Sequence, residues 1–246
     1  MYNPFTLTGK TLLVTGASSG IGRATAIECS RLGATLVITA RNEERLRETF
    51  NSLDGEGHLM LIADVTKQED VSRLVQAVPL LDGFVCNAGI TKRRPISFIK
   101  EDDLREVFEI NTISSILLTR ALAKAKKFNK CASLVFTSSK AARIVTPGNS
   151  MYAASKAAIE SFSRSCALEF ASRGIRSNAI LPGMVETPLI MNGALAPEDL
   201  EKDKEKYLLK RYGKPEDIAL LISFLMSDAS SWITATSIDI SGGLGM

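Results

Sequence analysis

The sequence predicts an α/β fold in which a doubly wound parallel sheet of seven strands carries helices on both faces. Short runs of β-branched and apolar residues alternate with longer amphipathic runs along the chain. A glycine-rich turn separates the first strand from the first helix. No linker rich in Pro, Gly or Ser divides the 246 residues, and no internal repeat is visible, so we expect one domain over 1–246.

The strands of this sheet are predicted from short apolar runs bounded by turn-forming residues. Strands that are covered on both faces are expected to look like this, because neither side has to meet water. In chain order the predicted strands are 11–15, 35–39, 58–62, 84–86, 133–137, 177–181 and 237–240.

The helices are predicted from the amphipathic runs at 20–32, 43–52, 68–77, 102–126, 151–171 and 215–227. Each is long enough to return the chain across the sheet to begin the next parallel strand. The stretch 188–212 differs, because it follows Pro182-Gly183 and contains the charged run 198–206. We interpret it as a substrate lid near the carboxyl ends of the strands.

Composition excludes several classes of function. Hydrophobic residues make up 45% and charged residues 23%, as in ordinary globular domains. No run approaches about 18 apolar residues and the first residues lack the layout of a secretion signal, so we expect a cytoplasmic protein with no membrane partner. A net charge of +3 does not indicate nucleic acid. Four scattered cysteines and one histidine predict buried thiols and no metal site.

The turn after the first strand has the composition of a phosphate-binding site. Its glycines permit positive φ and a close backbone approach, and the following helix N-terminus attracts a pyrophosphate, as in Rossmann-type domains. The spacing departs from Gly-x-Gly-x-x-Gly, because Thr25 stands where a third glycine is usual, so a purely structural turn remains the alternative. The turn reads Thr15-Gly16-Ala17-Ser18-Ser19-Gly20-Ile21-Gly22.

The end of the second strand favours NADP(H) over NAD(H). An acidic residue about twenty positions after the glycine turn would bind the ribose 2′-hydroxyl of NAD. Here the strand ends Thr39-Ala40-Arg41, which offers no repelling carboxylate and a guanidinium suited to a 2′-phosphate. The alternative is that Arg41 is an ordinary solvated loop residue.

Tyr152 and Lys156 lie four residues apart in a predicted helix, so both side chains project from one face. A phenol with a pKa of about 10 is a poor base at neutral pH, and we expect the neighbouring ammonium to lower that pKa. Ser139 follows the fifth strand, where a parallel sheet presents ligand-binding groups, and is placed to polarise a carbonyl. Taken alone, Tyr-x-x-x-Lys also fits a pair on a helix surface.

Together these motifs resemble those of the short-chain dehydrogenase/reductase family over essentially the whole chain. The ordered matches are Thr15 to Gly22, Asp64-Val65, Asn87-Ala88-Gly89, Asn111, Ser139 with Tyr152 and Lys156, and Pro182-Gly183 followed by Thr187. The resemblance implies hydride transfer between nicotinamide and a carbonyl/alcohol pair, without a metal. It implies a catalytic tetrad of Asn111, Ser139, Tyr152 and Lys156, in which Asn111 holds a water that extends the proton relay from Lys156.

The resemblance also implies the cofactor-binding residues. Asp64 and Val65 would border the adenine, Asn87-Ala88-Gly89 would lie beside the ribose, and Lys156 would bind the nicotinamide ribose. The full set is Gly16, Ser18, Ser19, Gly20, Ile21, Gly22, Arg41, Asp64, Val65, Asn87, Ala88, Gly89, Tyr152, Lys156, Pro182, Gly183, Val185 and Thr187, with Thr187 and the Pro182-Gly183 turn at the carboxamide.

Several stretches look most like 3-oxoacyl-acyl-carrier-protein reductases, among them 87–91, 171–175 and 211–219. That likeness implies an acyl-carrier-protein partner, for which Arg173 and the basic run at 124–130 offer a docking surface, although the run also fits a solvated helix end. A ketoreductase of a sugar, steroid or polyol remains an alternative, and a nucleotide-binding regulator without turnover is disfavoured by the intact tetrad. Relatives assemble as tetramers, so we expect a homotetramer or a homodimer.

Overall fold

The computed structural model describes residues 2–188 and 197–245. Its strands are β1 (Thr11–Thr15), β2 (Thr35–Ala40), β3 (Leu59–Ile62), β4 (Leu81–Cys86), β5 (Phe128–Thr137), β6 (Arg176–Pro182) and β7 (Ser237–Ile240). Its α-helices are α1 (Gly20–Arg31), α2 (Glu43–Phe50), α3 (Gln68–Ala77), α4 (Glu101–Phe108), α5 (Ser114–Lys124), α6 (Ser150–Phe170), α7 (Pro197–Lys204) and α8 (Pro215–Met226).

The strands form one parallel sheet in the order β3-β2-β1-β4-β5-β6-β7. The chain winds outward from β1 to one edge and then from β4 to the other, so the order reverses between β1 and β4. One apolar core packs α1 and α8 against one face, and a second packs α3, α5 and α6 against the other. The predicted doubly wound α/β fold is therefore confirmed, and the reversal creates a crevice at the carboxyl ends of the strands.

Two central strands begin earlier than the sequence predicts. β4 starts at Leu81 instead of 84, and β5 at Phe128 instead of 133. The extra residues of β4 include Asp82 and Gly83, which are typical of turns. Here the Asp82 carboxylate accepts a hydrogen bond from the Thr11 amide at 2.9 Å, and a Cβ at Gly83 would lie 2.5 Å from Leu12 and from the sulfur of Met226. Tertiary contacts thus replace the turn that the composition indicates.

The long helix predicted at 102–126 is broken into three parts. α4 ends at Phe108, a π-helical turn spans Glu109–Ile113, and α5 continues to Lys124. Asn111 lies at the centre of this π-turn and is only 1% exposed. A π-turn inside a helix often marks a functional position, because it rotates one side chain out of register with its neighbours.

The predicted lid at 188–212 lies partly outside the described residues, since 189–196 are not among them. Its described remainder includes α7 and two buried tyrosines, Tyr207 and Tyr212, whose rings meet edge to face at 5.5 Å. The Tyr207 hydroxyl accepts a hydrogen bond from the Met184 amide at 3.2 Å, which ties this segment to the residues after β6. The function of the segment as a lid stays a prediction.

Candidate active site

A cleft of about 290 Å³ opens at the carboxyl ends of the central strands, where the strand order reverses. It is lined by residues that follow β1, β2, β3, β4, β5 and β6, as Rossmann-type topology requires of a nucleotide site. Among the residues predicted for the cofactor, those that line it are Gly16, Ser18, Ser19, Gly20, Ile21, Arg41, Asp64, Val65, Asn87, Ala88, Gly89, Tyr152, Lys156, Pro182, Gly183, Val185 and Thr187.

The turn between β1 and α1 leaves its backbone open to an anion. Gly16 and Gly20 both have positive φ, at 66° and 51°, and a Cβ on Gly20 would lie 2.9 Å from Thr187. Ser19 caps α1 without a side-chain hydrogen bond, and the first turn of the helix carries no acidic residue. The first amides of α1 are therefore available to a negatively charged group, which fits a pyrophosphate.

Gly22 is the one residue of the predicted cofactor-binding set that does not line the cleft. It lies beneath the turn, where an added Cβ would overlap the carbonyl oxygen of Gly16 and approach the Asn87 side-chain nitrogen to 2.7 Å. Its role is to let α1 pack closely under the phosphate-binding turn, which corrects the expectation of a direct cofactor contact.

We expect Gly22→Ala to lower the free energy of unfolding by about 1–3 kcal/mol and to weaken NADPH binding at least about tenfold, because the added methyl displaces the Gly16 peptide. Urea unfolding and fluorescence titration with NADPH measure the two effects. Gly213→Ala is a matched control, since its Cβ would meet only ordinary van der Waals contacts from 3.5 Å. Unchanged affinity in Gly22→Ala would contradict the packing role.

Arg41 extends from the end of β2 to the rim of the cleft. Its side chain is 60% exposed, and Nη1 lies 4.0 Å from a carboxylate oxygen of Asp64. Asp64 is held by Thr66, whose amide and hydroxyl both donate to Oδ1 at 3.0 and 2.7 Å. Arg41 is thus exposed enough to contact a ligand, while Asp64 is held in place at the same rim.

A second cleft of about 410 Å³ adjoins the first. The two share four lining residues, Ser139, Tyr152, Pro182 and Gly183. The second cleft is otherwise lined by residues that follow β4, precede α6 or belong to the segment around Tyr207, together with Met184 after β6 and Leu244 after β7. Its volume lies within the range of small-molecule sites. Ser139 and Tyr152 therefore lie at the junction between the cleft beside the glycine turn and the second cleft, which has the volume of a small-molecule site.

Lys156 is 4% exposed and faces the junction from α6. Its ammonium donates to the Thr137 carbonyl oxygen at 2.8 Å, and it lies 5.8 Å from the centre of the Tyr152 ring. Burial lowers the pKa of Lys156 to about 8. The side chain is therefore held between the end of β5 and the phenol.

The pKa of Tyr152 differs from the sequence-based expectation. Burial raises it above the usual value, and the nearby Ser139 hydroxyl offsets only part of this rise. The Lys156 ammonium points to the Thr137 carbonyl, so it does not lower the phenol pKa as its spacing suggested. The phenol is consequently protonated at neutral pH, which suits a proton donor.

Ser139 follows β5 and caps a short 3₁₀ turn (Lys140–Ala142), with its hydroxyl accepting from the Ala141 amide at 3.1 Å. The preceding Ser138 is tied to α6, because its hydroxyl donates to the Lys156 carbonyl at 2.8 Å. The end of β5 and the start of α6 are thereby held together, which brings Ser139 and Tyr152 to one wall.

Asn111 lies behind this wall and does not line the dinucleotide cleft. Its amide nitrogen donates to the Ile90 carbonyl and the Ser155 hydroxyl, both at 3.0 Å, and its oxygen accepts from the Ile90 amide at 2.8 Å. A Cβ on Gly89 would lie 3.1 Å from the Asn111 oxygen and 3.2 Å from the Lys156 ammonium. Asn111 therefore fixes the loop after β4 next to Lys156.

Comparison with known proteins identifies the family to which the chain belongs. A family model described as enoyl-(acyl carrier protein) reductase matches residues 16–245. The chain is 37% identical over 240 residues to the 3-oxoacyl-acyl-carrier-protein reductase FabG of Rickettsia felis, which covers 98% of both chains. A solved short-chain dehydrogenase/reductase family protein shares its fold with a TM-score of 0.86 and 33% identity, over 96% of this chain and 97% of that one. The chain belongs to the short-chain dehydrogenase/reductase family.

Not every relative of this short-chain dehydrogenase/reductase carries an acyl-carrier name. It is 35% identical over 244 residues to the glucose 1-dehydrogenase of Gluconobacter oxydans, covering 96% of this chain and 92% of that one. The resemblance stated from the motifs is confirmed, and family membership makes the chain an oxidoreductase that acts on CH–OH groups with a nicotinamide cofactor.

The basic run at 124–130 lies far from Ser139 and Tyr152 of the same chain. Lys130 is near the start of β5 and Ser139 follows its end, so about 30 Å of strand separates them. Arg173 follows the distal end of α6, and its guanidinium donates to the Phe128 carbonyl oxygen. A partner on this surface would therefore lie at the opposite end of the sheet from Tyr152 of that chain.

Sequence reasoning missed several residues that line the two clefts of this short-chain dehydrogenase/reductase. Thr39 is the penultimate residue of β2 and Thr137 the last residue of β5, and their hydroxyl oxygens are buried without a hydrogen-bond partner among the described residues. Their place at strand ends beside a predicted site was a usable signal. Arg93 and Asn149 line the second cleft, but nothing in their sequence context distinguishes them from neighbouring polar residues.

Proposed function

We propose that this protein is an NADP(H)-dependent oxidoreductase that interconverts a carbonyl and a secondary alcohol. The observation that carries the proposal is the position of Ser139 and Tyr152, which line both the dinucleotide cleft and the adjoining substrate-sized cleft, with Lys156 against them. A proton-donating phenol and a polarising hydroxyl are thereby presented to any oxygen that bridges the two clefts.

The residues of the first cleft fit a nicotinamide dinucleotide. The glycine turn and the amides of α1 would hold the pyrophosphate, and Asp64 and Val65 would border the adenine. Asn87, Ala88 and Gly89 would lie beside a ribose with Lys156, and Pro182, Gly183, Val185 and Thr187 would surround the nicotinamide. A bound nicotinamide supplies or accepts the hydride.

The protein's own groups handle the proton. In reduction, the Tyr152 phenol donates its proton to the substrate oxygen, while the Ser139 hydroxyl stabilises the charge that develops there. The Lys156 ammonium, held by the Thr137 carbonyl, would bind the nicotinamide ribose, and Asn111 lies behind it. Asn111 acts as a positioning residue through Ile90, and a water on it would extend the relay.

Arg41 supports a preference for NADP(H). β2 ends without a carboxylate, and the Arg41 guanidinium stands at the cleft rim where a 2′-phosphate would add a charged pair. We expect Arg41→Ala to raise the KM for NADPH about 10- to 100-fold and the KM for NADH less than about threefold. Arg47→Ala is the matched control, because Arg47 is paired with Glu43 and does not line the cleft. Equal changes for both cofactors would refute the assignment.

The favoured substrate is a 3-oxoacyl thioester, because the Rickettsia felis relative is a 3-oxoacyl-acyl-carrier-protein reductase at 37% identity. The second candidate is a small hydroxylated carbonyl such as a sugar, which the Gluconobacter oxydans relative favours. Initial rates with NADPH and acetoacetyl thioesters, against a panel of ketoses and cyclic ketones, test the proposal. No turnover of any carbonyl, despite NADPH binding, would favour a regulator without activity instead.

A homo-oligomer would make a thioester substrate on an acyl carrier protein compatible with the distance of the basic run from the active site. An acyl carrier protein on Arg173 and the run at 124–130 would lie about 30 Å from the active site of the same chain, so it would have to serve the active site of a neighbouring subunit. We therefore retain the expectation of a homotetramer or homodimer, which light scattering measures.

A further inference from the structure

The loop after β4 carries three consecutive cations, and they do not have the same surroundings. The Lys92 ammonium lies 2.7 Å from Asp103 and 2.5 Å from Glu106, and the Arg94 guanidinium lies 3.0 Å from Asp103. Both carboxylates belong to α4. Hydrogen bonds from both cations also lower the pKa of Asp103, so this carboxylate stays charged at neutral pH. Lys92 and Arg94 therefore anchor the loop to α4.

Arg93, between these two anchors, lines the second cleft. The loop is also fixed from the other side, because the Arg94 amide donates to the Gly148 carbonyl at 2.8 Å. Gly148 belongs to the segment just before α6, which carries Tyr152. The loop that bears Arg93 is thus attached both to α4 and to the entrance of the helix that bears the phenol.

Arg93 differs in charge balance from the other cations of this cleft. The cleft is also lined by Lys140, which is paired with Asp239, and by Lys206, which lies 2.7 Å from Asp203. Within the described part of the chain, no carboxylate lies at ion-pair distance from Arg93. Arg93 is therefore the lining cation whose charge is left for a ligand.

Asn149 adds a second polar group to the same wall. It is 7% exposed, and its side-chain oxygen has no hydrogen-bond partner among the described residues. A buried acceptor without a partner is unfavourable, and a hydrogen-bond donor on a ligand would remove that cost. A hydroxyl or amide on the substrate meets that need, whereas a purely apolar substrate does not.

We propose that Arg93 binds an anionic group of the substrate and selects anionic carbonyl compounds over neutral ones. The inference rests on the proposed carbonyl–alcohol chemistry at Tyr152 and names the substrate class of that site. The anion is either the carboxylate of a compact hydroxy or oxo acid or the phosphate of a phosphopantetheine thioester. Both offer paired oxygens to the planar guanidinium fork.

The test uses two pairs of substrates that differ only in the anion. One pair is S-acetoacetyl-4′-phosphopantetheine and S-acetoacetyl-pantetheine, and the other is levulinate and its methyl ester. In the wild type we expect kcat/KM to be at least about tenfold higher for the anionic member of one pair. In Arg93→Gln that preference should disappear through a higher KM, with kcat and the neutral member nearly unchanged. Arg93→Lys should restore part of it.

The two pairs identify the source of the anion, and Arg105→Gln is the control. Arg105 is an exposed α4 cation paired with Glu101 outside both clefts, so its removal should leave all four rates unchanged. If Arg93→Gln loses the preference within the first pair, the anion that Arg93 binds is the phosphate. If the variant loses the preference within the second pair, the anion is the carboxylate. Preservation of both preferences in Arg93→Gln, an equal fall for charged and neutral substrates, or no preference in the wild type would overturn the proposal. The proposed chemistry fails separately, if neither neutral substrate nor any anionic one is reduced.

Discussion

Tyr152→Phe is expected to reduce kcat by about 10²–10⁴-fold while the dissociation constant for NADPH stays within about threefold of wild type. The variant removes the hydroxyl that is proposed to donate the proton and retains the ring that lines both clefts. Stopped-flow oxidation of NADPH with a reducible ketone measures the first quantity, and fluorescence titration measures the second. The loss should fall on kcat, because the phenol stabilises the transition state more than the bound substrate.

Tyr212→Phe is the matched control for this variant. Tyr212 lines neither cleft, and its hydroxyl donates to the Leu200 carbonyl oxygen at 3.1 Å and to Asp203, at the edge of the second cleft, at 3.0 Å. Because this hydroxyl does not face the junction of the clefts, kcat should remain near that of the wild type. Near-normal turnover in Tyr152→Phe would remove the tyrosine from the mechanism. A loss of NADPH affinity that matches the loss of turnover would instead give the side chain a binding role.

Lys156→Met is expected to remove one contribution that makes the free energy of unfolding of the wild type rise between about pH 8 and pH 10.5. The pKa of the buried ammonium is about 8, whereas a lysine in the unfolded chain titrates near 10.5. Between these values the unfolded chain binds more protons than the native protein, so the free energy of unfolding rises with pH. The titration of this one group raises the free energy of unfolding by about 3 kcal/mol in total, and the full rise is reached only above pH ~10.5.

Urea unfolding without nucleotide, repeated at intervals from pH 7 to 10.5, measures this difference. Other groups contribute to the pH dependence in this range, among them Cys29, because burial raises its native pKa to about 12 while a thiol in the unfolded chain titrates near 8.5. The quantity of interest is therefore the gap between the wild-type and Lys156→Met curves. The gap should change by about 2–3 kcal/mol across the range. If the wild-type and Lys156→Met curves run parallel, the pKa of Lys156 is not lowered by burial in the native protein. The variant should also lose most of its activity, through loss of the cation beside Tyr152.

The sheet could be predicted because its central strands are buried on both faces and therefore consist almost entirely of apolar and β-branched residues. The first residues of β4 could not, because Asp82 and Gly83 are typical of turns and only their contacts with β1 and α8 explain them. The π-turn at Asn111 was also invisible, since helical periodicity continues through it.

The cleft residues were predicted with more success than their electrostatics. Motif positions at the ends of parallel strands must gather at one edge of the sheet, so the meeting of Ser139 and Tyr152 follows from topology. The direction of the Tyr152 pKa shift does not follow from the spacing of Lys156, because it depends on where that ammonium points. In the same way, Lys92, Arg93 and Arg94 look alike in the sequence and are distinguished only by their partners.

The four residues common to the two clefts have a consequence for the kinetics. In the proposed reaction each reactant would occupy its own cleft, and the side chains between them would be a phenol and a hydroxyl rather than a covalent carrier. Both reactants must therefore be present at once for turnover, which produces intersecting double-reciprocal plots instead of the parallel lines of a substituted-enzyme scheme. A dead-end analogue of the ketone should not compete with the dinucleotide for its cleft. The oxidised coenzyme should compete with the reduced coenzyme and not with the ketone.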